Sequence, residues 1–268
     1  MRSIFIIPSF LLCLAAFLAA CQSPDSGEKA SAKETLLIAT AANVQFVMKE
    51  LKAAFESETG IAVDVVISSS GKLTAQIQQG APYDLLLSAN MKYPRTLYEE
   101  GLAEAEPHVY ALGALVLWTL KDHELPEDPR LLLDPQFEKV AIANPKNAPY
   151  GQQAIRLFEY FGMLEDIRPR LIYGESIAQT NQYIISRACD AGLTAKSVVL
   201  SSEMKDQGHW VEMPAGAYQS IEQGVIITRH GQQTHPDAAR RFYDFLFSEK
   251  AKEIFREYGY LIPGRAAN

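Results

Sequence analysis

Between residues 36 and 101 the chain alternates short apolar runs with stretches of helical period, and this alternation limits its fold more than any other feature. Leu36-Leu37-Ile38-Ala39 has strand character, and residues 45–58 carry Phe46, Val47, Leu51, Ala54 and Phe55 at helical spacing. Gly60 is placed to end that helix. Residues 61–67 are rich in β-branched side chains and read as a second strand. A short helix at 73–79 closes at Gly80, Leu85-Leu86-Leu87 marks a buried strand, and a helix at 94–100 ends at Gly101. Strand and helix in that order imply a parallel sheet with helices on its faces.

The pattern then repeats in a second region. Residues 111–120 predict one long apolar strand, followed by a polar, proline-marked stretch from 121 to 135. Short strands are expected at 140–143, 171–173 and 191–194, with helices at 151–161, 178–187 and 195–201 between and after them. Residues 224–228 form a returning strand, and helices at 236–247 and 249–258 close the chain. The expected fold is α/β with two lobes, each a mostly parallel sheet flanked by helices. Lobe 1 takes residues 35–112 and 222–268, lobe 2 takes 113–221, and a ligand would lie in the cleft between them.

The first residues read as a processing signal. Arg2 precedes an apolar run to Ala20, and Leu18-Ala19-Ala20-Cys21 resembles the lipobox of bacterial lipoproteins. Residues 1–20 are expected to be removed, leaving Cys21 to carry lipid, with 21–34 as a flexible tether. The protein would then be extracytoplasmic, periplasmic or at the cell surface, and anchored to a bacterial membrane. Of the three cysteines, Cys13 leaves with the signal and Cys21 is lipidated, so Cys189 has no disulfide partner. The net charge of −7 makes nucleic acid a poor partner.

Four loops share one design: each joins the end of a strand to the start of a helix. They are Thr40-Ala41-Ala42-Asn43, Ser68-Ser69-Ser70-Gly71, the stretch from Asn144 to Ala148-Pro149-Tyr150-Gly151, and Glu175-Ser176-Ile177. Helix starts carry unpaired N–H groups and a partial positive charge, so they bind anions without a cationic side chain. In open α/β sheets, ligands sit at the carboxyl ends of strands. Any one such loop is more often a simple helix cap; the argument rests on four together.

In order along the chain, Ser69-Ser70-Gly71-Lys72-Leu73, Gly80-Ala81-Pro82-Tyr83-Asp84, Leu87-Ser88-Ala89, Ala143-Asn144-Pro145, Glu175-Ser176-Ile177-Ala178-Gln179 and Tyr258-Gly259-Tyr260 resemble the molybdate-binding proteins of bacterial ABC importers. The similarity runs from about Leu36 to Pro263. It implies a type II periplasmic-binding fold and a monomer that captures molybdate or tungstate, without a cofactor, and hands it to an ABC permease. It implies ligand contacts from Asn43 and Ser70 by side chain and backbone, and from Tyr150 and Ile177 chiefly by backbone N–H. Ala42 and Ser69 are further candidates. Two positions depart from branches of the family: Ala42 stands where a hydroxyl residue can precede the Asn, and Ala195 where another branch supplies a tyrosine.

The loops offer donors, and Glu175 is their one carboxylate. A fully deprotonated tetrahedral dianion needs donors alone, whereas phosphate near neutrality keeps a proton and needs an acceptor. Sulfate is also a pure acceptor, so molybdate over sulfate follows from the resemblance only. An enzyme is not expected: a hydrolase using Ser70 would need a base, and no Gly-x-Ser-x-Gly elbow is present. Lys72 reads as a solvent-facing lysine and Asp84 as a group satisfying loop amides. Trp118 and Trp210 read as core or interlobe packing. His108, His123, His209, His230 and His235 lack zinc-ligand spacing.

Overall fold

The computed structural model describes residues 35–264. The signal, Cys21 and the tether lie outside the described residues. Among the described residues, ten strands form two five-stranded sheets. The first holds β1 (Thr35–Ala41), β2 (Ala62–Ser68), β3 (Leu85–Ser88), β4 (His108–Gly113) and β10 (Ile221–Ile227), in the order β2-β1-β3-β10-β4. The second holds β5 (Leu115–Thr119), β6 (Val140–Ala143), β7 (Leu171–Gly174), β8 (Ala191–Ala195) and β9 (His209–Glu212), in the order β7-β6-β8-β5-β9.

Both sheets are mixed, which refines the expectation of mostly parallel sheets. In the first, β2, β1 and β3 pair in parallel, while β10 runs antiparallel to both β3 and β4. In the second, β7, β6 and β8 pair in parallel, while β5 runs antiparallel to β8 and β9. The reversed strand in each sheet is the one that arrives from the other. A strand entering without a crossover helix of its own need not follow the parallel rule.

The long strand expected over 111–120 is two strands broken at Ala114. Gly113 still pairs with Ile221 of the first sheet, whereas Leu115 already pairs with Ala195 of the second. Strand β9 was not expected at all. It is a four-residue edge with half-exposed side chains, so it lacks the apolar run that marks the buried strands.

Helices cover the sheets with apolar faces. Helix α1 (Val47–Thr59) buries Val47, Met48, Leu51 and Phe55, and it ends at Gly60 in the left-handed conformation (φ 71°). That conformation favours glycine because it has no Cβ. Phe55 meets Phe242 of α9 (Pro236–Phe245) edge to face, with ring centroids 5.0 Å apart. Helices α2 (Ser70–Gln78) and α3 (Lys92–Glu99) bury Leu73, Ile77 and Leu97 on the other side of the same sheet. Around the second sheet, α4 (Pro149–Tyr160), α5 (Leu164–Ile167), α6 (Ile177–Ile185) and α7 (Lys196–Val199) enclose a core that includes Trp118, Phe137 and Phe158. Trp118 is fully buried and donates Nε1–H to Gln207 O. Cys189 is a buried free thiol, and burial pushes its pKa up, with Asp190 adding to the effect. Helix α8 (Arg229–Thr234) precedes α9, and α10 (Glu249–Glu257) is the last helix among the described residues.

Candidate functional site

The loops that leave the parallel strands converge on one cavity. After β1 the chain makes a single 3-10 turn, Ala42–Val44. After β2, Ser69 stands in extended conformation just before α2. After β6, Ala148 precedes α4, with Pro149 in its first turn. After β7, Ser176 precedes Ile177, the first residue of α6. Proline suits a first helical position, because that N–H would lack an intrahelical partner anyway. The cavity is small, with about 190 Å³ of atom-free space including its open side.

Its walls are Ala41, Ala42 and Asn43 from the first loop, Ser69 and Ser70 from the second, Ala89 after β3, Ala148, Pro149 and Tyr150 from the third, and Ile177 from the fourth. All six residues singled out in the sequence, Ala42, Asn43, Ser69, Ser70, Tyr150 and Ile177, therefore line the same space, and all six are buried. None of the lining side chains is charged, and none is a histidine or cysteine. Ser70 has no general base beside it among them.

Donors line this space by construction. The first-turn N–H groups of a helix have no intrahelical acceptor, and Ser70, Tyr150 and Ile177 occupy the first turns of α2, α4 and α6. Ser70 Oγ accepts a hydrogen bond from Ala89 N–H at 3.0 Å, which fixes the oxygen and leaves its own proton to donate. Ser69 Oγ is buried without a partner among the described residues.

Asn43 departs from expectation. Its Nδ2 group donates to Gln223 Oε1 at 2.8 Å and to Tyr260 Oη at 3.1 Å, so its side-chain protons are used inside the protein. Its carbonyl accepts from Ser197 Oγ at 2.7 Å, and Tyr260 Oη lies 3.1 Å from both that carbonyl and Ser197 Oγ. Asn43 thus ties the first loop to β10, to the C-terminal segment and to α7. What it leaves for a ligand is backbone. Gln223 and Ser197 escaped the sequence reading, since both are far from Asn43 along the chain and carry no motif of their own; Tyr260 lies in the Tyr258-Gly259-Tyr260 match, which says nothing of its contact with Asn43.

Tyr150 turns its ring away toward the strand break. A Cβ on Gly113 would lie 2.2 Å from Tyr150 Oη. Burial, with Tyr260, Tyr218 and Tyr110 adding to it and the Asn43 amide opposing, holds the phenol well above its ordinary pKa, so it stays neutral.

Two contacts join the second loop to the third and fourth. Gly71 N–H donates to Asn147 O at 2.9 Å, and a Cβ on Gly71 would lie 2.8 Å from Asn147 Cβ. Lys72, at the start of α2, forms an ion pair with Glu175, just before α6; the two side chains are 45% and 55% exposed. Lys72 is outside the cavity wall. It is engaged at the rim rather than free in solvent.

The profile of a family described as bacterial extracellular solute-binding protein matches residues 36–261. The chain belongs to that family. Among its relatives, this solute-binding protein is 36% identical to the molybdate-binding protein of Rhodobacter capsulatus, over 84% of this chain and 88% of that protein. It is 34% identical to the molybdate-binding protein of Azotobacter vinelandii, over 83% and 88% of the two chains. The solved structure of the Azotobacter vinelandii periplasmic molybdate-binding protein superposes with a TM-score of 0.81 at 31% identity, covering 85% of this chain and all of that one. Two mixed α/β sheets with a cavity at their strand ends are the type II periplasmic-binding arrangement. No helix among the described residues is long and apolar enough to cross a membrane.

Proposed function

We propose that this solute-binding protein captures molybdate or tungstate outside the cytoplasm and delivers it to an ABC permease. The observation that carries the reading is a cavity walled by three helix starts and two serine hydroxyls with no charged side chain. Such a wall suits a compact anion that accepts hydrogen bonds and has none to give. Relatives named as molybdate-binding proteins favour that anion over sulfate, which has the same hydrogen-bonding character. Backbone N–H groups of Ala42, Asn43, Ser70, Tyr150 and Ile177, with the hydroxyls of Ser70 and Ser69, are the contacts.

The two lobes are residues 35–112 with 222–268, and 113–221, joined where β4 passes into β5 and where the chain returns into β10. Cys21 carries lipid and holds the monomer at a membrane. Thermal melting with and without molybdate tests the ligand: at 100 times the dissociation constant it adds about 2.7 kcal/mol of stability. An equal or larger shift with sulfate at matched concentration would overturn the molybdate assignment. For the anchor, Cys21→Ser should move the protein from the membrane fraction to the soluble one. If it stays with the membrane, lipidation at Cys21 is wrong.

A further inference from the structure

We infer that Asp84, His230 and His235 form a binding site for a divalent transition-metal cation of the zinc class, in the first sheet's layer and separate from the anion cavity. The three side chains come from positions whose spacing does not suggest a site. In a continuous helix, residues five apart point about 140° away from each other. Here α8 stops at Thr234, and His235 leaves helical geometry (φ −133°, ψ 53°), which lets its ring turn back beside that of His230. The ring centroids are 6.3 Å apart.

Both rings converge on one oxygen. His235 Nδ1 is 3.0 Å and His230 Nε2 is 3.8 Å from Asp84 Oδ1, and one ligand atom from each residue fits within a 4.8 Å limit of the others. Tetrahedral zinc, with bonds of about 2.0–2.1 Å to nitrogen and oxygen, sets its ligand atoms about 3.3 Å apart. The two measured edges bracket that value, and the third, between the two rings, lies within 4.8 Å. Among the described residues this is the cluster of histidine, cysteine and carboxylate groups with metal-holding geometry.

The carboxylate is prepared for the role. Asp84 is 1% exposed, and its Oδ2 accepts Leu37 N–H at 2.7 Å, which orients Oδ1 toward the rings. An outer hydrogen bond of this kind fixes a metal ligand. The backbone is clamped as well: Thr228 N–H donates to Asp84 O at 2.9 Å, and a Cβ on Gly231 would lie 2.4 Å from that oxygen. A buried carboxylate with few donors favours a nearby cation. His230 and His235 are 37% and 27% exposed, so solvent reaches the fourth coordination position. Imidazole nitrogens select zinc, nickel, cobalt and copper over magnesium and calcium. A bound ion would pin the α8–α9 junction to the start of β3.

The test is calorimetric titration of Zn²⁺ alone into the full mature chain carrying no added histidines. Cobalt(II) absorption serves as a second readout, because tetrahedral nitrogen and oxygen ligation gives an intense visible band. One ion should bind per chain and raise the melting temperature. His230→Ala and His235→Ala should each weaken binding more than about tenfold, since loss of even an outer partner costs about 10- to 100-fold, and should abolish the cobalt band. The histidine variants carry the test because Asp84→Asn would also disturb Leu37. Melting each variant without metal shows that it folds. His209→Ala, next to exposed Asp122, should leave the titration unchanged. No saturable binding to the parent, or equal binding by both folded histidine variants, would overturn the site and leave Asp84 and His235 as a hydrogen-bonded pair only.

Discussion

Ser70→Ala separates what the cavity does for the fold from what it does for a ligand. Ser70 is buried, and its Oγ accepts Ala89 N–H at 3.0 Å. Removing the oxygen orphans a buried N–H, which costs about 1–3 kcal/mol of stability. At about 2–4 °C per kcal/mol for a domain of this size, the ligand-free melting temperature should fall by roughly 2–12 °C. The same change deletes a hydroxyl donor to a charged acceptor. Such bonds contribute about 1.5–3 kcal/mol, so molybdate affinity should fall about 10- to 150-fold. Ser69→Ala is the partner experiment. Its Oγ is buried without a partner, so its loss should leave the ligand-free protein as stable as the parent or more so, while still weakening the anion. Calorimetric titration gives the affinities, and melting without ligand gives the stabilities. If Ser70→Ala folds normally and binds molybdate like the parent, the cavity is misassigned.

Three further outcomes follow from named contacts. Lys72→Ala should change affinity by less than about fivefold, since an exposed ion pair contributes about 0–1 kcal/mol and Lys72 already serves Glu175; a titration showing a hundredfold loss would make Lys72 a direct ligand. Gly113→Ala drives a Cβ to 2.2 Å from Tyr150 Oη and 3.0 Å from Gln223 Nε2, so denaturant unfolding should show a loss of about 1–3 kcal/mol, partly rescued by Tyr150→Phe. Asp190→Asn should lose about 1.5 kcal/mol at neutral pH. Burial pushes the Asp190 carboxyl up, but Lys121 and the Lys139 and Glu138 N–H groups outweigh it and hold its pKa below the ordinary range. A depressed folded pKa contributes stability above the unfolded value and loses it as pH falls through the folded one. The gap between parent and variant should therefore be full at pH 7 and shrink below about pH 4, as unfolding at several pH values would show.

The features legible in the sequence were those written locally. Residues 140–143 form β6 because a short apolar run before a turn signal is a complete description of a buried strand. The four loops were legible for the same reason: each joins a strand end to a helical turn within a few residues. What was hidden depends on partners remote in sequence. Nothing near Asn43 announces that its amide will be taken by Gln223 and Tyr260, 180 and 217 positions away. Spacing could not show Asp84 beside His230 and His235, because a helix ends between the two histidines. Nor could hydropathy find the break at Ala114. Residues 111–118 are without a polar side chain, and the change of sheet shows only in which strand each half pairs with.

A net charge of −7 and an anion site are compatible because the two act over different distances. Surface charge is screened within about 8–10 Å at ordinary salt, whereas helix starts act in direct contact with the ligand. The rim adds no net charge, since Lys72 is matched by Glu175. Helix starts from the two sheets, α2 on one side and α4 and α6 on the other, point their positive ends into the same small space. Without an anion those ends repel, and the repulsion opposes closure. Gly71 N–H to Asn147 O, Lys72 to Glu175 and Ser197 to Asn43 O pull the other way, but each is one hydrogen bond or one exposed pair. Such contacts contribute about 1 kcal/mol apiece. An anion in the cavity turns that repulsion into attraction, because it takes donors from both sheets at once. A ligand shifts an equilibrium by its differential affinity for the two states. Molybdate is therefore expected to favour the form in which both sheets contribute donors, and small-angle scattering with and without molybdate checks it: an unchanged radius at saturating ligand would refute closure.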